Sequence, residues 1–133
     1  MADAIEPEFI PDSDILFCRV HRAHFNLREQ RISRAVFEKP DQSVDWSNYS
    51  TKEETVARHK KPQDVKAVAS ITAEACRNLE QDVVHDPIAE GQPGGPNRAH
   101  SEIRGEKTKL IQSKLRDAVT AVWENPQFNT TPQ

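Results

Sequence analysis

KTKLIQSKLRDAVTAVWE, residues 107–124, carries the strongest periodic signal in this chain. Leu110, Ile111, Leu115, Ala118, Val119, Val122 and Trp123 recur mostly three to four positions apart, the spacing that collects side chains on one face of an α-helix. The pattern predicts a long C-terminal helix whose core face is Leu110, Ile111, Leu115, Val119 and Val122. A helix with one apolar stripe needs a layer to pack on, and the upstream sequence offers strands.

Ile15-Leu16-Phe17-Cys18-Arg19-Val20 is short, apolar and rich in aromatic and β-branched residues, which favours a buried strand. Residues 32–38, 43–46, 65–71, 82–85 and 99–104 read as further extended segments. Ser50 with Glu53, or Thr51 with Glu54, makes a capping box that starts a helix over 51–59. Thr72 caps a second short helix that turns Ala75, Cys76 and Leu79 inward. Between Pro87 and Asn97 stand Gly91, Gly94 and Gly95 with Pro87, Pro93 and Pro96, a composition that holds neither helix nor central strand. The expected fold is therefore α+β: a small, mostly antiparallel sheet with two short helices and the long C-terminal helix packed on it. With 133 residues, 35% hydrophobic and 29% charged, the chain has material for one core. That domain is expected over 15–124, behind a flexible acidic lead-in over 1–14 and before a flexible tail over 125–133.

Eighteen Lys and Arg against 21 Asp and Glu leave a net charge of -3, so no global field draws the protein to phosphate backbones or anionic membranes. Basic character is local, concentrated between residues 17 and 39. Cys18 and Cys76 are too far apart for a paired-cysteine metal motif and suit a reducing compartment. The start MADAIEPEF has no signal-peptide pattern, and no stretch approaches ~18 apolar residues; the expectation is a cytoplasmic protein with no membrane association. Cys18, His21 and His24 would meet on a helix, but on a strand His21 points away from the other two, so no metal is assigned. P-loop, dinucleotide-binding, nucleophile-elbow and zincin motifs are absent, and no cofactor is implied.

Phe17 and Phe25 interleave with the arginines from Arg19 to Arg34, a pattern that can stack bases and neutralise phosphates. The acidic total weighs against nucleic acid, and a protein partner docked on Arg19, Arg22, Arg28 and Arg31, with Arg98, is the preferred reading. The densest set of chemically able side chains flanks the Gly/Pro loop. His85, Asn97, His100 and Glu102 are the catalytic candidates, because strands on either side of a loop are usually neighbours. Such a set can bind an anion, move a proton, or satisfy its own hydrogen bonds. Two functions follow: an accessory protein binding a protein partner, or a small enzyme acting on a nucleotide-like or phosphorylated substrate.

SVDWSNYSTKEETVARH (43–59), VVHDPI (83–88) and NRAHSEIRGEKTK (97–109) together resemble a group of small bacterial proteins of unassigned function, which implies a bacterial origin. A fainter resemblance is to the ADP-ribosyltransferase superfamily, through Arg19 in LFCRV, Ser43 in SVDW and Glu102 in HSEIR. That resemblance implies a split antiparallel sheet on which the Arg holds a dinucleotide phosphate, the Ser braces the nicotinamide pocket and the Glu hydrogen-bonds the ribose. The family's Ser-Thr-Ser stands here as Ser43-Val44-Asp45, and His100 takes the first place of its Glu-x-Glu.

Overall fold

Leu16, Cys18 and Val20 alternate with Phe17 and Arg19 along the first strand, and this alternation sends them to opposite faces of a sheet. The computed structural model describes residues 5–26 and 28–127. Its strands are β1 Ile15–His21, β2 Phe25–Asn26, β3 Arg31–Ile32, β4 Asp41–Trp46, β5 Val65–Thr72, β6 Asp82–His85, β7 His100–Arg104 and β8 Ala121–Glu124. The helices are α1 Lys52–Ala57, α2 Ala73–Asn78 and α3 Lys109–Ala118. Six strands form one sheet in the order β6-β7-β4-β1-β5-β8, antiparallel at every neighbouring pair. The fold is α+β.

One face of the sheet carries the larger core, in which Leu16, Cys18, Val44 and Ile103 meet Phe37, Cys76 and Leu115. The other face has a smaller cluster of Phe17, Val56, Val65 and Val68, with Trp123 against it. Helix α1 packs mainly on β1 and β5 on that second face. Beyond α1, over β4, β7 and the adjoining part of β1, no helix among the described residues makes its main packing on this face, and it is where polar strand residues gather.

The long C-terminal helix is corrected. Helix α3 stops at Ala118, and residues 121–124 pair with β5 as an edge strand, Val68 opposite Trp123. Leu110 is 64% and Val122 41% exposed, so neither belongs to the core face, whereas Leu115 is fully buried; Ile111 and Val119 pack partly against the core. Two forces end the helix. Val119, Thr120 and Val122 are β-branched residues that favour extended backbone, and β5, buried along nearly its whole length, has an edge to satisfy. The Thr120 N–H donates to the Ser70 carbonyl at 2.8 Å and begins that pairing. Apolar spacing alone did not separate a ten-residue helix plus a strand from one continuous helix.

The segment expected as a strand over 32–38 is extended only through Ile32. Ser33 then caps a 3₁₀ turn over Arg34–Phe37, its side chain accepting from the Ala35 N–H, and both Val36 and Phe37 become buried. Of the two capping boxes, the one formed is Thr51 with Glu54. The acidic lead-in is docked from Glu8 onward: Ile10 is 1% exposed in the core, Asp12 pairs with Arg77 at 2.6 Å, and Asp14 accepts from the Trp46 indole at 2.9 Å. At the other end, Asn125 is buried and donates to the Val65 carbonyl at 3.0 Å; the rest of the expected tail, from residue 128, lies outside the described residues. No helix among the described residues is long and apolar enough to cross a membrane.

Cys18 and Cys76 are both buried free thiols. Burial pushes Cys76 up to about 12 from an ordinary 9.0, and pushes Cys18 the same way, reinforced by the Cys76 charge. In the unfolded chain these thiols ionise near their ordinary value, so above it the unfolded state binds fewer protons than the folded one and stability falls as pH rises. The expected loss between about pH 9 and 12 reaches about 1.4 kcal/mol per pH unit for each thiol. Urea midpoints measured from pH 8 to 10.5 check this. A wild-type slope no steeper than that of Cys76→Ala would contradict it.

Candidate functional site

The strand β4 places a carboxylate where its apolar neighbours predict none. Val44 and Trp46 enter the large core, and the alternation turns Asp45 to the opposite face, where it is fully buried. A buried carboxylate needs partners to offset its lost hydration, and three converge on it. Arg58 at the end of α1 reaches Oδ2 at 3.0 Å and Arg19 of β1 reaches it at 3.5 Å. Asn97, from the Gly/Pro loop, donates to Oδ1 at 3.0 Å. The arginines are braced in turn: Arg58 donates to Ser50 Oγ at 2.9 Å, and Arg19 Nε donates to the Thr55 carbonyl at 2.7 Å. Burial draws the Arg19 pKa below its ordinary value, with Asp45 opposing and Arg58 adding to the effect.

Asn97 is delivered to Asp45 by the way the loop closes. Ile88 and Asn97 form a β-bridge across its base, and a Cβ on Gly95 would overlap the Ala89 carbonyl, so glycine is required for the loop to fold back on itself. Between this loop and the segment after α1 lies a cavity of about 430 Å³ over the uncovered strands. Arg19, Ser43 and His100 rise from the sheet, Arg58, Lys60 and Lys61 form one wall, and Ile88, Gly94 and Asn97 form the other. No Asp or Glu lines it. Among the described residues neither Lys60 nor Lys61 has an ion-pair partner, and both are exposed. A second depression of about 390 Å³ shares Arg19, Ser43 and His59 with the first and continues toward His21, His24 and Lys39.

His100 sits in this cavity with both ring nitrogens engaged. Nδ1 is 2.7 Å from the Asp86 backbone carbonyl and Nε2 is 3.3 Å from Ser43 Oγ. Two strand positions on, Glu102 Oε1 lies 2.7 Å from Arg104, and this bond raises the Arg104 pKa.

Of the four catalytic candidates, Asn97 and His100 line one cavity. Glu102 shares the face of His100 but is held by Arg104. His85 belongs to the other side, where it packs against Trp46 and Tyr49 with ring centroids 5.1 and 5.9 Å away; its Nδ1 accepts from the Glu8 N–H and its Nε2 meets the Arg98 carbonyl. A strand alternates faces, so His85 on β6 and His100 on β7 need not meet although their strands are adjacent. The basic candidates are also dispersed. Arg19 lines the cavity, Arg22 pairs with Asp64 at 3.5 Å, Arg31 with Asp117 at 3.7 Å, and Arg28 is exposed. Arg98 lies over the Tyr49 ring at 4.0 Å. Cys18 is in the core while His21 is exposed at the strand end, so the two do not share a site.

Arg19, Ser43 and Glu102 stand on β1, β4 and β7, three neighbouring strands, with Ser43 directly opposite Glu102. The residues that sequence reading passed over are Asp45, Arg58, Lys60 and Lys61. Asp45 had a signal, a lone charge flanked by Val44 and Trp46. The basic run 58–61 reads as an ordinary helix end until the fold sets it against the loop. Comparison with protein-family models, with curated proteins and with solved structures gives no match.

Proposed function

We propose that the cavity over β1, β4 and β7 binds a small phosphorylated, nucleotide-like molecule. One observation carries the reading: in a chain with an excess of acidic residues, this cavity is lined by Arg19, Arg58, Lys60 and Lys61 and by no carboxylate. Its volume of about 430 Å³ falls in the range of small-molecule sites. Asp45 beneath the floor fixes the two guanidinium groups, and together with Glu54, 3.7 Å from Arg58, it offsets two of the four charges, so the donors are positioned before a ligand arrives and both lysines stay uncompensated. Arginine forks suit phosphate oxygens, and exposed lysines add point charges at the entrance.

Isothermal titration with ADP and with inorganic pyrophosphate tests this. Binding is expected to weaken as salt rises, because the lysines are solvent-exposed. Lys60→Glu combined with Lys61→Glu is expected to weaken it at least about tenfold, equivalent to about 1.4 kcal/mol, while folding stability stays within about 0.5 kcal/mol as for other surface changes. Equal affinity in the double variant, or no binding of either ligand to the wild type, would contradict the proposal.

A second reading, ADP-ribosyl transfer, is favoured by the shared face of Arg19, Ser43 and Glu102. It requires Glu102 to exchange Arg104 for a ribose hydroxyl. Hydrolysis of NAD that is lost in Glu102→Gln would support it.

A further inference from the structure

We propose that Ser43 is a nucleophile activated by His100, and that the cleft transfers acyl groups from esters of phosphate-bearing molecules to water. The proposal rests on the phosphate-binding reading of the same cleft and adds the reaction.

The His100 ring is held in one tautomer by its neighbours. Its Nδ1 faces a backbone carbonyl at 2.7 Å, and a carbonyl can only accept, so Nδ1 carries the proton. In the neutral ring Nε2 then has a lone pair, and it faces Ser43 Oγ at 3.3 Å. The hydroxyl therefore donates to Nε2, which is the arrangement of a nucleophile and its base. The ring is held in place: the His100 side chain is 14% exposed, and the Asp86 carbonyl fixes its tautomer as the orienting group of a triad does. Ser43 by contrast is exposed and opens on the cavity. The pairing is diagonal across two strands, Ser43 standing opposite Glu102 and Asp45 opposite His100, so rigid sheet geometry sets the distance.

In the first step Ser43 Oγ bonds to the ester carbonyl carbon and its proton passes to Nε2. The acyl–oxygen bond then breaks, and the departing alkoxide takes that proton from His100. Water next gives a proton to Nε2 as its oxygen bonds to the acyl carbon; Ser43 Oγ leaves, recovers the proton, and a carboxylic acid is released. Arg19, which lines the same cavity, supplies positive charge to the oxyanion formed at each attack. Lys60 and Lys61 at the wall hold the substrate's phosphate.

The test uses two neutral probes, diisopropyl fluorophosphate and p-nitrophenyl acetate, with adducts located by mass spectrometry. One residue, Ser43, is expected to carry the diisopropylphosphoryl or acetyl group. The adduct should be absent in Ser43→Ala and should form at least ~100-fold more slowly in His100→Gln, the usual share of a general base. Should His100→Gln fail to fold, Ser43→Ala still decides, since an exposed serine tolerates alanine and p-nitrophenol release in that variant must fall to the rate of buffer alone. No adduct on Ser43, or equal rates with and without His100, would overturn the proposal. ADP titration of the same samples separates the two claims. ADP bound with Ser43 unlabelled removes the nucleophile and keeps the binding site; Ser43 labelled without ADP binding supports the nucleophile and removes the phosphate-bearing substrate.

Discussion

Asp45→Ala is expected to lower the unfolding free energy by about 3 kcal/mol, the lower end of what breaking a buried ion pair costs. The carboxylate is fully buried and is the shared partner of Arg19, Arg58 and Asn97. Alanine leaves two guanidinium groups facing each other across the space it vacated. The lower end applies because the two arginine side chains keep 21% and 25% of their surface in water, which limits the penalty for an unpaired charge. Asp45→Asn, which preserves shape and one acceptor, is expected to cost less. The binding consequence should be larger than the stability consequence suggests, since Arg19, Arg58 and Asn97 all line the cavity and all lose their common anchor. Chemical denaturation checks the first effect and ADP titration the second. A stability loss under about 1 kcal/mol, the level of ordinary substitutions, would mean that the network is not what holds the cleft together.

Leu115→Ala is expected to cost about 2 to 5 kcal/mol, because it opens a cavity in a closed core rather than trimming a surface. Leu115 has no exposed area and is the single fully enclosed residue of α3. Leu110→Ala on the same helix should stay within about 0.5 kcal/mol, because most of that side chain is already in water. The pair of values separates the observed element from a helix running through to residue 124, in which both leucines would face the core. Equal losses at the two positions would contradict the observed packing.

The α+β class was legible because the local signals agreed with one another. β1 is a short apolar run of aromatic and β-branched residues, Thr51 and Thr72 cap their helices, and the Gly/Pro loop marks a break that tertiary contacts do not override. The C-terminal region was misread for a physical reason. Leu115 through Trp123 satisfies a helical period whether or not the helix continues, and the deciding factor, the open edge of β5, lies about 50 positions away in sequence. The site was legible in part. Asn97 and His100 were found because a loop between strands brings its ends together. His85 was placed with them by the same argument, which says which strands adjoin but not which face a side chain takes. The cationic wall of Arg58, Lys60 and Lys61 exists only through the fold, since nothing in a short basic run announces that a loop some 30 residues later will face it.

The most direct test of the binding site is a ¹H–¹⁵N chemical-shift titration with ADP. The perturbed amides are expected to cluster at Ser43, Arg58 to Lys61, Asn97 and His100, while those around His85 and Tyr49 on the opposite side of the sheet stay in place. Perturbations confined to that opposite side, or none at millimolar ADP, would contradict it.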